Sequence, residues 1–300
     1  MTMKTARIHI LTPVHVGSGV DFKGNFEYLF FEQEKIAVVL DQEKVLDILD
    51  EDESMVSSWV NVIDNKGSLL KLLQQRKSNL QPSDVALREL PVRHAGLSAK
   101  TSLREQLHDG MGIPLMPGSS IKGAVRTALF AQFISKNDNL VKRSENLKNR
   151  RGYYGDQQLI KKCFGDDPNH DILRLLQIGD ANFERTEVFS SDIVNLFHDG
   201  WGKGSSSRDK DALQFIEAIP AGLECNTPVS FHLDEQLFKI ASDRRYFLSD
   251  ISQLQLHRLI PMLNEHTKGL VKKEIAYWQE EGNPPVLENY LEELDKLLNI

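Results

Sequence analysis

Two serines, a lysine and an arginine gather behind a proline in Pro117-Gly-Ser-Ser-Ile-Lys-Gly-Ala-Val-Arg126. Gly118, Ser119 and Ser120 precede a helical pattern, and Lys122 and Arg126 stand four apart near its start, on one face of the predicted helix. Like charges at that spacing repel, and a cation in the first turn opposes the helix dipole, so an anion is the natural compensation. Free backbone N–H groups, two hydroxyls, an ammonium and a guanidinium converging there suit a phosphate, held without reading bases. Glycine at 123 lets another backbone come close. The plainer alternative is a capped surface helix with two solvated cations.

A second glycine-rich stretch, Pro13-Val-His-Val-Gly-Ser-Gly19, carries His15 beside Gly17, Ser18 and Gly19. An imidazole there can contact a ribose or phosphate, serve as a general acid or base, or simply pack. Asp21 follows and is a candidate acid/base group in RNA cleavage, although an exposed aspartate is the usual case. The remaining histidines lack metal-ligand spacing. Asp167-x-Asn169-x-Asp171 opens like a calcium loop, but Ile172 and Ile178 occupy the positions that need Gly and Glu. Asp199 to Arg208 is glycine-rich without the spacing of a Walker loop. No catalytic residue, metal or cofactor is therefore assigned.

These residues need elements to hold them. Ala6, Ile8 and Ile10 alternate with polar positions, which predicts a strand running into the 12–19 glycine loop. Glu27–Phe31 and Lys35–Leu40 read as a hairpin. Residues 42–77 read as largely helical, with Ser68 a candidate cap. Ile113 to Gly118 is an extended approach to a helix starting near Ser119 or Ser120. Leu176–Phe183 reads as a strand, and 215–219 with 229–233 as a strand pair joined by a turn at Ala221-Gly222. From Asp250 the pattern is helical to the end.

The chain has 300 residues, 36 Lys+Arg, 43 Asp+Glu and a net charge of −7, which excludes a uniformly basic nucleic-acid coat. The charge is uneven. Residues 27–53 hold ten acids and two bases and residues 279–300 six acids and one base, whereas 142–162 holds seven bases against two acids. That basic stretch, with Lys142, Arg143, Arg150 and Arg151, is a local patch for a polyanion, since phosphate contacts depend on charge within a Debye length of ~8–10 Å; a solvated face is the alternative. At 40% hydrophobic the chain is an ordinary folded protein. Without an apolar run near the ~18–20 residues of a membrane span or a secretory leader, the expectation is a cytoplasmic protein with no membrane contact. Cys163 and Cys225, far apart, suit reduced thiols.

Leu11-Thr-Pro-Val-His-Val-Gly-Ser-Gly19 and Ile113-Pro-Leu-Met-Pro-Gly-Ser-Ser-Ile-Lys-Gly-Ala-Val-Arg-Thr-Ala-Leu129 together resemble the RAMP superfamily of CRISPR effector proteins. The hairpin ending in Val38-Val-Leu-Asp41 and the Gly179-Asp-Ala-Asn182 strand are most similar to the type III-A Csm subunit that caps the crRNA 3′ end. The resemblance implies an α+β fold: a single elaborated RAMP domain over 1–300 with a ferredoxin-like (RRM-like) core, an antiparallel sheet and large helical insertions. Residues 42–110 would be one such insertion and 236–300 a mainly helical C-terminal region. It further implies a non-catalytic subunit that grips the crRNA backbone, with Gly118, Ser119, Ser120, Lys122, Gly123 and Arg126 at the helix start, His15, Gly17, Ser18 and Gly19 as a neighbouring loop, and Lys142, Arg143, Arg150 and Arg151 extending the track. The implied partners are crRNA, target RNA, other Csm subunits including an adjacent filament subunit, and a 3′-trimming nuclease. The readings left beside it are a RAMP endoribonuclease using His15 or Asp21 and a type III-B subunit. One departure stands out: RAMP proteins of this kind carry a glycine-rich loop and a strand near the C-terminus, whereas this pattern ends in a helix. Either the chain is shortened there, the 200–207 loop takes the tail's place, or the subunit differs.

Overall fold

The computed structural model describes residues 3–49, 59, 61–62, 67–93, 97–98, 101–137, 139, 154–192, 213–243, 251–280 and 287–299. The fold is α+β, as expected, and divides into two compact units. One comprises residues 1–6, 117–180 and 228–300, the other 7–116 and 181–227. No helix among the described residues is long and apolar enough to cross a membrane.

The first unit holds strands β1 (Met3–Ala6), β8 (Leu176–Ile178) and β12 (Val229–Leu233) in one antiparallel sheet, order β1-β12-β8. Its helices are α3 (Gly118–Lys136), α4 (Tyr154–Phe164), α5 (Glu235–Asp243), α6 (Leu256–Glu280) and α7 (Glu288–Leu298). Val125, Ala128 and Leu129 form the inner stripe of α3, at the three- and four-residue spacing of one helix face. They pack on Cys163, Phe164, Leu173, Leu254, Leu259 and Met262. Both cysteines are buried, and burial pushes the Cys163 thiol up to about 12.

The second unit contains α1 (Gln42–Leu49) and α2 (Leu69–Arg76), together with β3 (Tyr28–Phe31), β4 (Ile36–Leu40) and β5 (Ala86–Pro91) in antiparallel order β3-β4-β5. A further sheet has the order β10 (Glu187–Asp192), β11 (Leu213–Ala218), β6 (Ser102–Gln106), β2 (Gly17–Lys23). β7 (Leu115–Met116) pairs with β9 (Ala181–Asn182). All pairs are antiparallel except β6 with β11. The hairpin is as read, with Phe31 opposite Ile36. Its near-continuous apolar strands arise because both faces are buried. Leu29, Phe31, Val38 and Leu40 meet α1 and α2, while Tyr28, Ala37 and Val39 meet Phe22, Leu103 and Phe215. The Ser68 hydroxyl caps α2, accepting the Lys71 N–H at 3.3 Å.

Four readings change. The first strand stops at Ala6, and residues 8–10 continue as an irregular ladder against Leu223 to Cys225, with only Ile10 buried. Gly17, Ser18 and Gly19 lie in an edge strand, whose pairing to β6 is bulged between Gly17 and Asp21 around the positive φ of Gly19. The 42–110 span is helical only in part, since β5 and β6 fall within it. The 215–219 and 229–233 strands do not pair with each other: a turn does form at Ala221-Gly222, but β11 and β12 enter different sheets.

Candidate nucleic-acid interface

The backbone turns into α3 at Pro117, which caps the helix in an extended conformation. Gly118 is buried because the chain here touches the end of β8: a Cβ at this position would lie 2.0 Å from the Ile178 carbonyl oxygen. Its N–H donates to Asp180 Oδ1 at 2.7 Å, and the Ser120 and Ile121 N–H groups return to Pro117 O. The helix start thus already has a carboxylate and few unclaimed donors, a feature absent from the sequence reading. Gly118 is a packing residue here. What faces outward is Ser119, Ser120, Gly123, Ala124 and Thr127, all exposed and all small. At Gly123 a Cβ would meet nothing within 4 Å, so nothing inside this unit demands glycine.

The two cations of the motif differ. Lys122 is half-buried and forms no ion pair with any described residue. Arg126 finds its anion within the chain: Nη1 donates to Asp171 Oδ2 at 2.7 Å and the guanidinium sits 4.0 Å from the Phe164 ring centroid. A carboxylate of the chain itself thus stands beside Arg126, where the sequence reading looked for a phosphate. Asp171, a member of the abortive calcium pattern, also caps the following 3-10 turn through the Leu173 N–H. Because the pair is partly exposed, 38% and 24%, Arg126→Ala should cost about 1 kcal/mol in denaturant unfolding. A variant that lost RNA affinity with unchanged stability would instead assign Arg126 to the ligand.

In the other unit, His15 and the glycines adjoin a buried polar network that sequence reasoning missed. His15 Nδ1–H donates to the Glu217 carbonyl at 2.7 Å, and the Ser18 hydroxyl donates to Glu105 at 2.8 Å. Behind them Glu217 is fully buried. Its carboxylate accepts from Thr186 Oγ1 at 2.6 Å and the Gln106 N–H at 3.2 Å, and faces Arg88 at 3.5 Å and His108 Nε2 at 3.3 Å. Burial alone would push the Glu217 carboxyl up, but His108, Arg88 and Thr186 together hold it below the usual glutamate value. The available signal was parity: Glu217 shares a strand face with Phe215 and Ile219, both buried. Asp21 is 61% exposed, 3.7 Å from Arg104, and no hydrogen bond joins it to His15 among the described residues. Lys142, Arg143, Arg150 and Arg151 lie outside the described residues, as does the 200–207 loop. No group of three His, Cys, Asp or Glu side chains with metal-binding geometry occurs among the described residues.

The chain's similarities match this architecture. A family model described as the RAMP superfamily matches residues 7–294. A relative from Methanocaldococcus jannaschii, described as CRISPR system Cms protein Csm5, is 24% identical over 179 residues, covering 58% of this chain and 42% of the relative's length. The crystal structure of T. onnurineus Csm5 superposes with a TM-score of 0.73 at 18% identity over 92% of this chain and 83% of that one. A chain in the cryo-EM structure of a Csm–crRNA–target RNA ternary complex of a type III-A CRISPR-Cas system gives 0.72 at 18% identity, over 99% of this chain and 82% of that one.

Proposed function

The chain belongs to the RAMP superfamily, and on that premise we propose that it is a non-catalytic, crRNA-backbone-binding subunit of a type III-A Csm effector complex. The similarity to Csm5 proteins and to a chain of a Csm–crRNA–target RNA complex supports this assignment. In this reading the subunit caps the 3′ side of the guide, packs beside a filament subunit, and offers a 3′-trimming nuclease a place to dock. The exposed face of α3 carries the proposal: small side chains at 119, 120, 123, 124 and 127 let a sugar-phosphate backbone lie close, with Lys122 as the cation beside it. A grip of this kind positions RNA without reading it, which suits a protein that handles many guides. The engagement of the His15 ring by the Glu217 backbone carbonyl favours the non-catalytic reading.

Two substitutions test the grip by RNA binding as a function of salt. Lys122→Ala should weaken binding equally for all guide sequences and lower the slope of log K against log salt by about 0.7. Gly123→Leu should fold at least as stably, since glycine is a poor helix former and the site is open, yet lose RNA affinity because the side chain stands where the backbone must approach. Unchanged affinity in both variants would remove α3 from the interface.

A further inference from the structure

Arg93, just after β5, and Arg185, between β9 and β10, end on one carboxylate, that of Glu187 at the start of β10. The Glu187 side chain is only 3% exposed. Arg93 donates Nε–H to Oε2 at 2.5 Å and Nη2–H to Oε1 at 2.9 Å, while Arg185 adds a longer Nε–H bond to Oε1 at 3.4 Å. The Arg93 guanidinium holds the Glu187 carboxyl below its ordinary range, so the acid stays ionised at neutral pH. One bidentate guanidinium already satisfies a buried carboxylate; the second arginine is surplus to that need. Both arginines nevertheless remain largely in solvent, at 59% and 48% side-chain exposure. Arg93 spends its side-on donors on Glu187, which leaves the end-on pair, Nη1 and the outer hydrogen of Nη2, facing away. The Arg185 Nη groups are likewise unspent on Glu187. The exposed Glu184 reaches Arg185 Nη1 only at 4.0 Å, a solvated contact worth little.

We propose that Arg93 and Arg185 form a phosphate fork that takes one phosphodiester of the bound RNA, with Glu187 fixing both guanidinium planes from behind. The proposal rests on the RNA-binding reading above and adds to it a contact on the second unit, from residues outside both motifs. Guanidinium groups meet phosphate with paired donors, and a fork whose orientation is set in advance loses less entropy on binding than two free side chains.

The test uses the full-length chain and a labelled oligouridylate, with affinity followed across sodium chloride concentrations beside the Lys122→Ala variant. Arg185→Gln should weaken binding about tenfold and lower the salt slope by about 0.7, with the melting temperature unchanged. Arg93→Lys keeps a cation against Glu187 but loses the paired donors, so affinity should fall while the slope is retained. If the slope and affinity of Arg185→Gln match the parent while Lys122→Ala lowers its slope, the fork is wrong and the α3 interface stands. If the parent chain does not retain the oligouridylate, the fork and the RNA-binding reading fall together.

Discussion

Gly118→Ala should lower stability by about 3 kcal/mol, seen as a reduced denaturant midpoint, and should weaken RNA binding with it. The added methyl would stand 2.0 Å from the Ile178 oxygen, 2.7 Å from its carbonyl carbon and 2.8 Å from the Gly179 oxygen, all backbone atoms. Neither wall can retreat cheaply. The 178–179 segment is tied to β12 by the Gly179 N–H to Ser230 O bond at 2.9 Å, and Gly179 itself is pressed against Ser230. On the other side, moving α3 stretches the Gly118 N–H bond to Asp180 and unseats Val125 and Leu129 from the core. The contrast with Gly123 is the point of the measurement: two glycines five residues apart should respond oppositely, one losing stability and the other losing only affinity. A Gly118→Ala protein that melts with the parent would mean that the α3 start and β8 do not approach as closely as described.

Glu217→Gln should destabilise by about 3–5 kcal/mol, because it removes one partner of a buried charged cluster and leaves the others facing an amide. Thr186 keeps an acceptor if the amide oxygen takes its side, but the new NH2 group then points its own hydrogens at the Gln106 N–H and Arg88, which lose theirs. Glu105 still pairs with Arg88 at 2.9 Å, which places the expected loss toward the lower end of that range. The pH dependence follows from the lowered carboxyl. The unfolded chain titrates Glu217 as an ordinary glutamate, whereas the folded chain holds the proton off to lower pH. The stability from this group is therefore complete above that unfolded value and drains away as pH falls through the folded one. Denaturant unfolding across an acidic pH series should show a weakened acid limb in Glu217→Gln. An acid limb identical to the parent's would mean that Glu217 does not carry it.

Local chemistry was readable in the sequence wherever punctuation by Pro, Gly and Ser sets the backbone. The α3 start and the Ser68 cap are of that kind, and the 28–40 hairpin shows as two apolar runs around the polar Glu32-Gln33-Glu34. Choice of partner across the chain was not. Strands at 213–218 and 229–233 have the spacing of a hairpin, yet β11 goes to β6 and β10 while β12 goes to β1 and β8, because hydrophobic alternation says which face is buried and not against whom. The same limit hid the site's electrostatics. Lys122 and Arg126 look equivalent by spacing, but Asp171, 45 residues on, takes one of them. Arg93 and Arg185 share a carboxylate that no motif marks. Ser18 and Gly19 read as loop residues because glycine signals a break, and the structure uses that freedom for a bulge within a strand.

The way the two units share the chain bears on how the protein is made. The polypeptide passes between them at residues 6–7, 116–117, 180–181 and 227–228, so neither unit is a continuous stretch. On a ribosome, β1 emerges well before β12 and cannot pair until it follows, with Lys4 waiting for Phe231. The second unit closes only after residues 213–218 supply β11 between β6 and β10, and the first only when the C-terminal helices arrive. Sequence-distant pairing of this kind makes folding slow and keeps strand edges open while it proceeds. Nascent chains should therefore depend on protection from aggregation until the helices over 256–298 have emerged, and cutting at any single position will not release either unit intact.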